Sequence, residues 1–301
     1  MVLGNLRRLA AMVFVMSMCR AADAPRTLQV LFIGNSFTGR HDLSEVVKKM
    51  AEAGNPGLRF EVTTVIYGGR RLVDHWRLGT QNFVKLATLT PEEEGATIKS
   101  LEAFPKDDPI HRYAAGALQR HQRLSSTLKG SREKWDVVVL QSYRDDLDGE
   151  KSLYVEYAPK FAELARAQGA RVILYETTPA TQNEKPLEAP PDPAPVMEKE
   201  RVIAALSSRI HATVVPMSLV ALRIQTVRPD LTLRFVNDTH LNQTMAYLTA
   251  CTFYAALFDR SPEGLAVDTV TDTRPLDGSK DKDRDGDPLS RTFSAKDRTD
   301  L

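Results

Sequence analysis

A serine early in the chain and an acid–histidine pair far downstream are the residues whose chemistry stands out. Ser36 lies in LFIGNSFTGR, Leu31 to Arg40, where an apolar run from Leu28 to Ile33 breaks into Gly34-Asn35-Ser36. A helix-like pattern follows at Leu43, Val46, Val47 and Met50, with Asp42 and Glu45 spaced as a capping box. Strand, tight turn and helix are therefore expected in that order. A serine at the carboxyl end of a first strand sits where open α/β sheets present their ligands, beside helix-terminal N–H groups that favour negative charge. By these surroundings Ser36 is a nucleophile, a phosphate-loop residue, or a cap that bonds its own backbone. Near the far end, Asn237-Asp238-Thr239-His240-Leu241-Asn242 precedes a helix expected to be strongly amphipathic, with Met245, Leu248, Cys251, Ala255 and Phe258 on one face. The early serine and the late acid–histidine pair bracket one domain.

These blocks resemble those of the SGNH (GDSL-like) hydrolase superfamily of esterases and lipases, over roughly Leu28 to Arg260. The resemblance implies that Ser36 is the nucleophile and His240 the base. It also implies an oxyanion hole built from the Ser36 N–H, a glycine after the second strand and an amide after the third. Here those are Gly68-Gly69 in VIYGGRRL, with Gly69 the donor, and Gln141 in WDVVVLQSY. Two departures stand out. Gln141 replaces the family's usual Asn, a side chain one methylene longer that still offers an amide donor. The family's acid position, three before the histidine, is Asn237, whereas Asp238 sits two before it. Asp238 is expected as the third triad member, with Asn237 the alternative orienting residue. Asn35, Gly68, His75 and Ser142 are the further pocket candidates, and Leu72 and Trp76 join His75 as a pocket wall.

The implied activity is hydrolysis of short-chain acyl esters, acetyl esters on carbohydrates in particular, through an acyl-enzyme and without a metal or organic cofactor. Two readings from other classes remain. The displaced acid and Gln141 suit a catalytically weak or inactive carbohydrate-binding protein of the same fold. GNSFTG would suit a flavodoxin-like phosphate or flavin binder, which leaves His240 without a role.

The elements that must position these residues are legible as alternating strands and helices. Strands are expected at Leu58 to Val65, Asp136 to Leu140, Val172 to Tyr175 and Thr213 to Val215, the β-branched DVVVL being the clearest. With the first strand and intervening helices they predict a three-layer α/β/α, flavodoxin-like, doubly wound parallel sheet of about five strands. Glu176 extends from the fourth strand as a spare carboxylate. A Pro-rich loop from Thr181 to Pro195 reads as a stiff cleft wall or as a solvated linker. Residues 81–134, helical from Tyr113 to Leu128, read as an insertion that covers the cleft or lies peripheral to it.

A 301-residue chain with 42% hydrophobic content and a net charge of +1 predicts one large domain and argues against a nucleic-acid partner. Residues 1–24 resemble a signal peptide: Arg7 and Arg8, an apolar run from Leu9 to Met18, and Ala22-Asp23-Ala24. That run is too short to span a bilayer. A secreted or periplasmic protein of bacterial origin, without stable membrane insertion, is expected. Removal of the leader, and of Cys19 with it, would leave Cys251 with no internal disulfide partner and a place in the core. The sequons at Asn237 and Asn242 are expected to be unmodified, since a glycan would crowd His240. The hydrolase domain is expected over 25–270 and a disordered, charged tail over 271–301. Asp281, Asp283, Asp285 and Gly286 imitate the start of a calcium loop, but Thr292 occupies the twelfth position and Pro288 interrupts it, so a solvated tail is favoured.

Overall fold

Five parallel strands form the central sheet of the computed structural model, which describes residues 26–127, 134–141, 152–177 and 182–301. They are β1 (Arg26–Gly34), β2 (Leu58–Ile66), β3 (Val137–Gln141), β4 (Arg171–Tyr175) and β5 (Thr213–Val215), in spatial order β2-β1-β3-β4-β5. β1 pairs with β2 from Arg26↔Leu58 to Gly34↔Ile66, and with β3 from Val30↔Val137 to Ile33↔Leu140. Val30 and Phe32 point into one core layer, Leu31 and Ile33 into the other. Burial on both faces is why β1 and β3 read as unbroken apolar runs rather than alternating ones. The expected flavodoxin-like architecture is the one observed.

The helices are α1 (Ser36–Gly39), α2 (Leu43–Gly54), α3 (Leu72–Arg77), α4 (Thr80–Val84), α5 (Pro91–Glu102), α6 (His111–Thr127), α7 (Leu153–Ala167), α8 (Ala194–Ile210), α9 (Met217–Val227), α10 (Gln243–Phe258) and α11 (Ala295–Asp300). Leu43 and Met50 of α2, Ala221 of α9 and Met245 of α10 fill one layer. Leu72 of α3, Ala117 of α6, Phe161 of α7 and Leu206 of α8 fill the other. The 81–134 insertion is thus part of the second core where it is described, with Val84, Leu101 and Ile110 buried. A buried polar network locks it: His121 Nδ1 lies 2.8 Å from Glu94 Oε1, and Asn82 Nδ2 donates to Glu94 Oε2. The Pro-rich loop is pinned in the first half of its described part, where the Asn183 carbonyl accepts from the Leu233 N–H and the Leu187 N–H donates to Pro229.

Three expectations change. Asp42 does not cap α2: its φ of 47° is left-handed and its side chain makes no cap hydrogen bond. The capping side chain belongs to Asn35, which accepts from the Phe37 N–H at the start of α1. α10 is not amphipathic but buried around most of its circumference, because a segment beyond residue 268 covers its second side. That segment is the expected disordered tail. It forms an antiparallel pair, β6 (Thr269–Thr271) with β7 (Ser290–Thr292), followed by α11. Val270 and Phe293 are core residues, and the Phe293 ring stacks on Tyr247 of α10 at 4.4 Å. Its charges find partners: Arg228 gathers Asp297 and Asp300, and Arg291 donates to Thr244. Charge-rich composition predicts solvation only when the charges lack partners, and here they have them.

The calcium-like loop spends its carboxylates on the protein itself. Asp283 Oδ1 accepts from the Asp285 and Asp287 N–H groups, and its Oδ2 accepts from Gln243. Among the described residues no group of three or more His, Cys, Asp or Glu side chains is arranged to hold a metal ion. Cys251 is buried in the core as expected, and burial pushes its thiol up to about 12. No helix among the described residues is long and apolar enough to cross a membrane.

Candidate active site

β1 ends at Gly34, and the chain turns at once into α1 with Ser36 as its first residue. The turn is packed so closely that a Cβ on Gly34 would lie 2.4 Å from Gln141 Oε1 and 2.6 Å from Thr38 Oγ1, which is why a glycine ends the strand. Gln141, fully buried at the end of β3, accepts the Asn35 N–H at 2.7 Å and the Thr38 hydroxyl at 3.1 Å through Oε1. Its carbonyl end therefore braces the Ser36 turn, a role distinct from the oxyanion donor expected of its amide. Asn35 ties the turn to the second loop, its Nδ2 donating to the Arg70 carbonyl at 3.1 Å.

His75 is part of the same brace. Its Nε2 lies 2.9 Å from the Gly34 carbonyl and so carries the proton, while Nδ1 accepts from the Thr80 hydroxyl. Complete burial pushes its pKa down to about 3, and the ring is neutral. His75 is a structural donor beneath the turn, not a pocket-wall residue. Gly68 and Gly69 follow β2. Gly69 has a left-handed φ of 65°, and a Cβ built there meets nothing within 4 Å, so this loop faces open space. The Ser36 N–H is the first of α1 and one of the donors that a helix start leaves without an internal acceptor.

His240 meets this turn across 204 residues of sequence, its Nε2 2.8 Å from Ser36 Oγ. Its Nδ1 contacts Asp238 Oδ1, which also accepts the His240 backbone N–H. The acid two residues before the histidine thus reaches the imidazole through a tight turn. Asn237 does not take that place. Its backbone N–H and that of Val236 donate to the two carboxylate oxygens of Asp285, at 2.9 and 2.8 Å.

Behind Asp238 stands a group that sequence reasoning missed. Arg40 is buried and donates through Nη1 to Asp238 Oδ2 at 2.8 Å. Its Nε and Nη2 form a two-pronged bond with the buried Asp272, at 2.5 and 2.8 Å. Its guanidinium lies over the Phe235 ring, 4.9 Å from the centroid. Arg40 reaches this position because His41 and Asp42 both adopt left-handed backbone, with φ of 60° and 47°. Burial opposes ionisation of Asp238, but the hydrogen bonds from His240 and Arg40 outweigh it and hold the carboxyl well below the usual carboxylate range. Asp272 and Asp285 both lie in the segment read as a tail; no local sequence signal marks Asp272, and Asp285 stands out only as part of a calcium-like loop.

Ser142 lies outside the described residues. Glu176 is buried and committed: it accepts the Ser218 hydroxyl and N–H, and Lys199 Nζ lies 3.3 Å away. A cavity of about 370 Å³ lies between the acid–histidine loop and the C-terminal segment, lined by Phe235, Gln243, Asp285 and Arg291, and neither Ser36 nor His240 borders it. Ser36, His240 and Asp238 can do one kind of chemistry together: remove the proton from a serine hydroxyl and stabilise the resulting imidazolium with a carboxylate.

No family model and no curated protein matches the sequence. Among solved structures, the chain is similar to a protein from Slackia heliotrinireducens provisionally assigned as an SGNH hydrolase, with 17% identity, a TM-score of 0.47, and coverage of 77% of this chain and all of that one. A DUF4886 family protein from Bacteroides uniformis ATCC 8492 is 17% identical, with a TM-score of 0.48 over 80% of this chain and 86% of its own. TesA is 16% identical, with a TM-score of 0.42 over 77% of this chain and 99% of its own.

Proposed function

We propose that the protein is a serine ester hydrolase of SGNH type, acting on short-chain and above all acetyl esters, carbohydrate esters among them. The observation that carries this reading is the 2.8 Å contact of His240 Nε2 with Ser36 Oγ, in a histidine whose Nδ1 meets Asp238. His240 takes the Ser36 proton as the oxygen attacks the ester carbonyl, and Asp238 stabilises the imidazolium. The Ser36 and Gly69 N–H groups, with the Nε2 end of Gln141, would receive the oxyanion, each donor worth about 3 kcal/mol. His240 then protonates the leaving alcohol. Water, activated by the same histidine, releases the acid from the acyl-enzyme. The leader-like residues 1–24 make export part of the proposal.

The alternative of an inactive binding protein arose from the displacement of the acid by one residue. It is disfavoured by the contact that Asp238 nonetheless makes. Hydrolysis of 4-nitrophenyl acetate tests the choice. Wild type should turn over, and Ser36→Ala and His240→Ala should each lose about 10³-fold or more. Wild-type rates equal to those of both variants would contradict the proposal.

A further inference from the structure

The loop that holds Gly69 is packed against α6, and the contact gathers positive charge with little carboxylate to balance it. Tyr113 of α6 donates its hydroxyl to the Gly68 carbonyl at 2.6 Å. The Arg70 and Arg112 guanidiniums lie 5.1 and 4.9 Å from the Tyr113 ring centroid, and Arg112 Nη2 donates to the Tyr113 oxygen. The Tyr67 ring lies 6.0 Å from that of Tyr113, with the Arg120 guanidinium 5.6 Å from its centroid. Three cations thus surround a two-tyrosine platform.

Among the described residues, Arg112 and Arg120 have no carboxylate partner. Arg70 has only Asp74, at the 4.0 Å limit, and Asp74 Oδ2 already accepts the Arg71 N–H. Elsewhere Arg40, Arg77, Arg228 and Arg234 each hold a close carboxylate. Arg70 Nε and the Tyr67 hydroxyl are also buried without a hydrogen-bond partner. Guanidinium forks match a planar carboxylate. The place is adjacent to the chemistry, because the Arg70 carbonyl is bonded to Asn35 and its residue follows Gly69 directly.

We propose that Arg70, Arg112 and Arg120, with Tyr113, form a subsite for a carboxylate carried by the substrate, so that the preferred esters are acidic ones, such as acetylated uronic-acid saccharides. This rests on the esterase reading of Ser36 and His240. Two arms test it independently. In the first, the kcat/KM ratio of mono-4-nitrophenyl glutarate to 4-nitrophenyl pentanoate reports a charge on the acyl side, and that of acetylated galacturonate to acetylated xylose oligosaccharides reports one on the alcohol side. In at least one pair wild type should prefer the acidic ester. Arg112→Ala should cut that ratio about tenfold, the Arg112→Ala/Arg120→Ala double variant further, and Arg112→Lys less. Rising salt should shrink the ratio in wild type. Equal ratios in wild type and variants for both pairs would overturn the subsite while leaving the esterase standing. In the second arm, calorimetry measures binding of a galacturonate trisaccharide and of xylotriose to Ser36→Ala. Selective binding of the acidic sugar, lost in the added Arg112→Ala change, supports the subsite even if no ester is turned over. Equal or absent binding of the two sugars overturns it.

Discussion

The two halves of the proposed triad are held by different physics. On the serine side, the support is neutral and close to the sheet: Gln141 Oε1, the Nε2–H of His75 and the Asn35 side chain each bond a backbone group of the turn or its neighbour loop. On the histidine side, the support is ionic and remote in sequence: Arg40 bridges Asp238 to Asp272, and Asp285 holds the backbone before Asp238. The neutral side depends on shape and hydrogen-bond geometry. The ionic side depends on every charge keeping its partner, because an uncompensated buried ion is costly. A remote C-terminal segment is thus as much a part of the proposed active site as the motif that carries Ser36.

The largest effect that sharpens this contrast is at the acid. Asp238→Asn should lower kcat on 4-nitrophenyl acetate by about 10³–10⁴-fold, since an amide favours the wrong imidazole tautomer. Asn237→Ala should stay within about twofold, as only its backbone engages Asp285. The reverse ranking would return the orienting role to Asn237.

A smaller effect separates the two supports by their response to pH. Arg40→Ala should cost about 3–5 kcal/mol of stability by stranding Asp272. Gly34→Ala on the neutral side should cost about 1–3 kcal/mol by overpacking. The signs differ on acidification. The Asp238 carboxyl is depressed, so its stabilising contribution is complete above the ordinary carboxylate range and is lost as pH falls through its lower folded value. Removing Arg40 removes one cause of that depression, so in Arg40→Ala the acid loss in a urea-midpoint profile should be smaller and end at a higher pH, its onset staying in the ordinary carboxylate range. Gly34→Ala should shift the profile down without moving the limb. Parallel shifts in both variants would break the distinction.

What the sequence revealed follows the same division. β1 and β3 were legible because burial on both faces leaves an unbroken apolar run, and Ser36 is read directly from where that run stops. The His240 block was legible as a motif. Asp238 was legible only as one of two candidates, because the choice depends on a turn three residues long. Arg40 could not be found: its partner Asp272 is 232 residues away, and it is followed by two consecutive left-handed residues, His41 and Asp42, an uncommon pairing that the local pattern read as the start of a helix. The same distance hid the fold of residues 269–301. Their composition is that of a solvated chain, and a few apolar residues among many charges, Val270, Phe293 and Leu301, mark the side that packs on the core.

The central claim is that Ser36 is a nucleophile activated by His240. Treatment of the purified protein with diethyl 4-nitrophenyl phosphate, followed by intact-mass measurement and peptide mapping, tests it most directly. A single diethylphosphoryl adduct on Ser36, absent in Ser36→Ala and formed far more slowly in His240→Ala, is the predicted result. No adduct on wild type, or an adduct at Ser36 formed equally fast without His240, would contradict it.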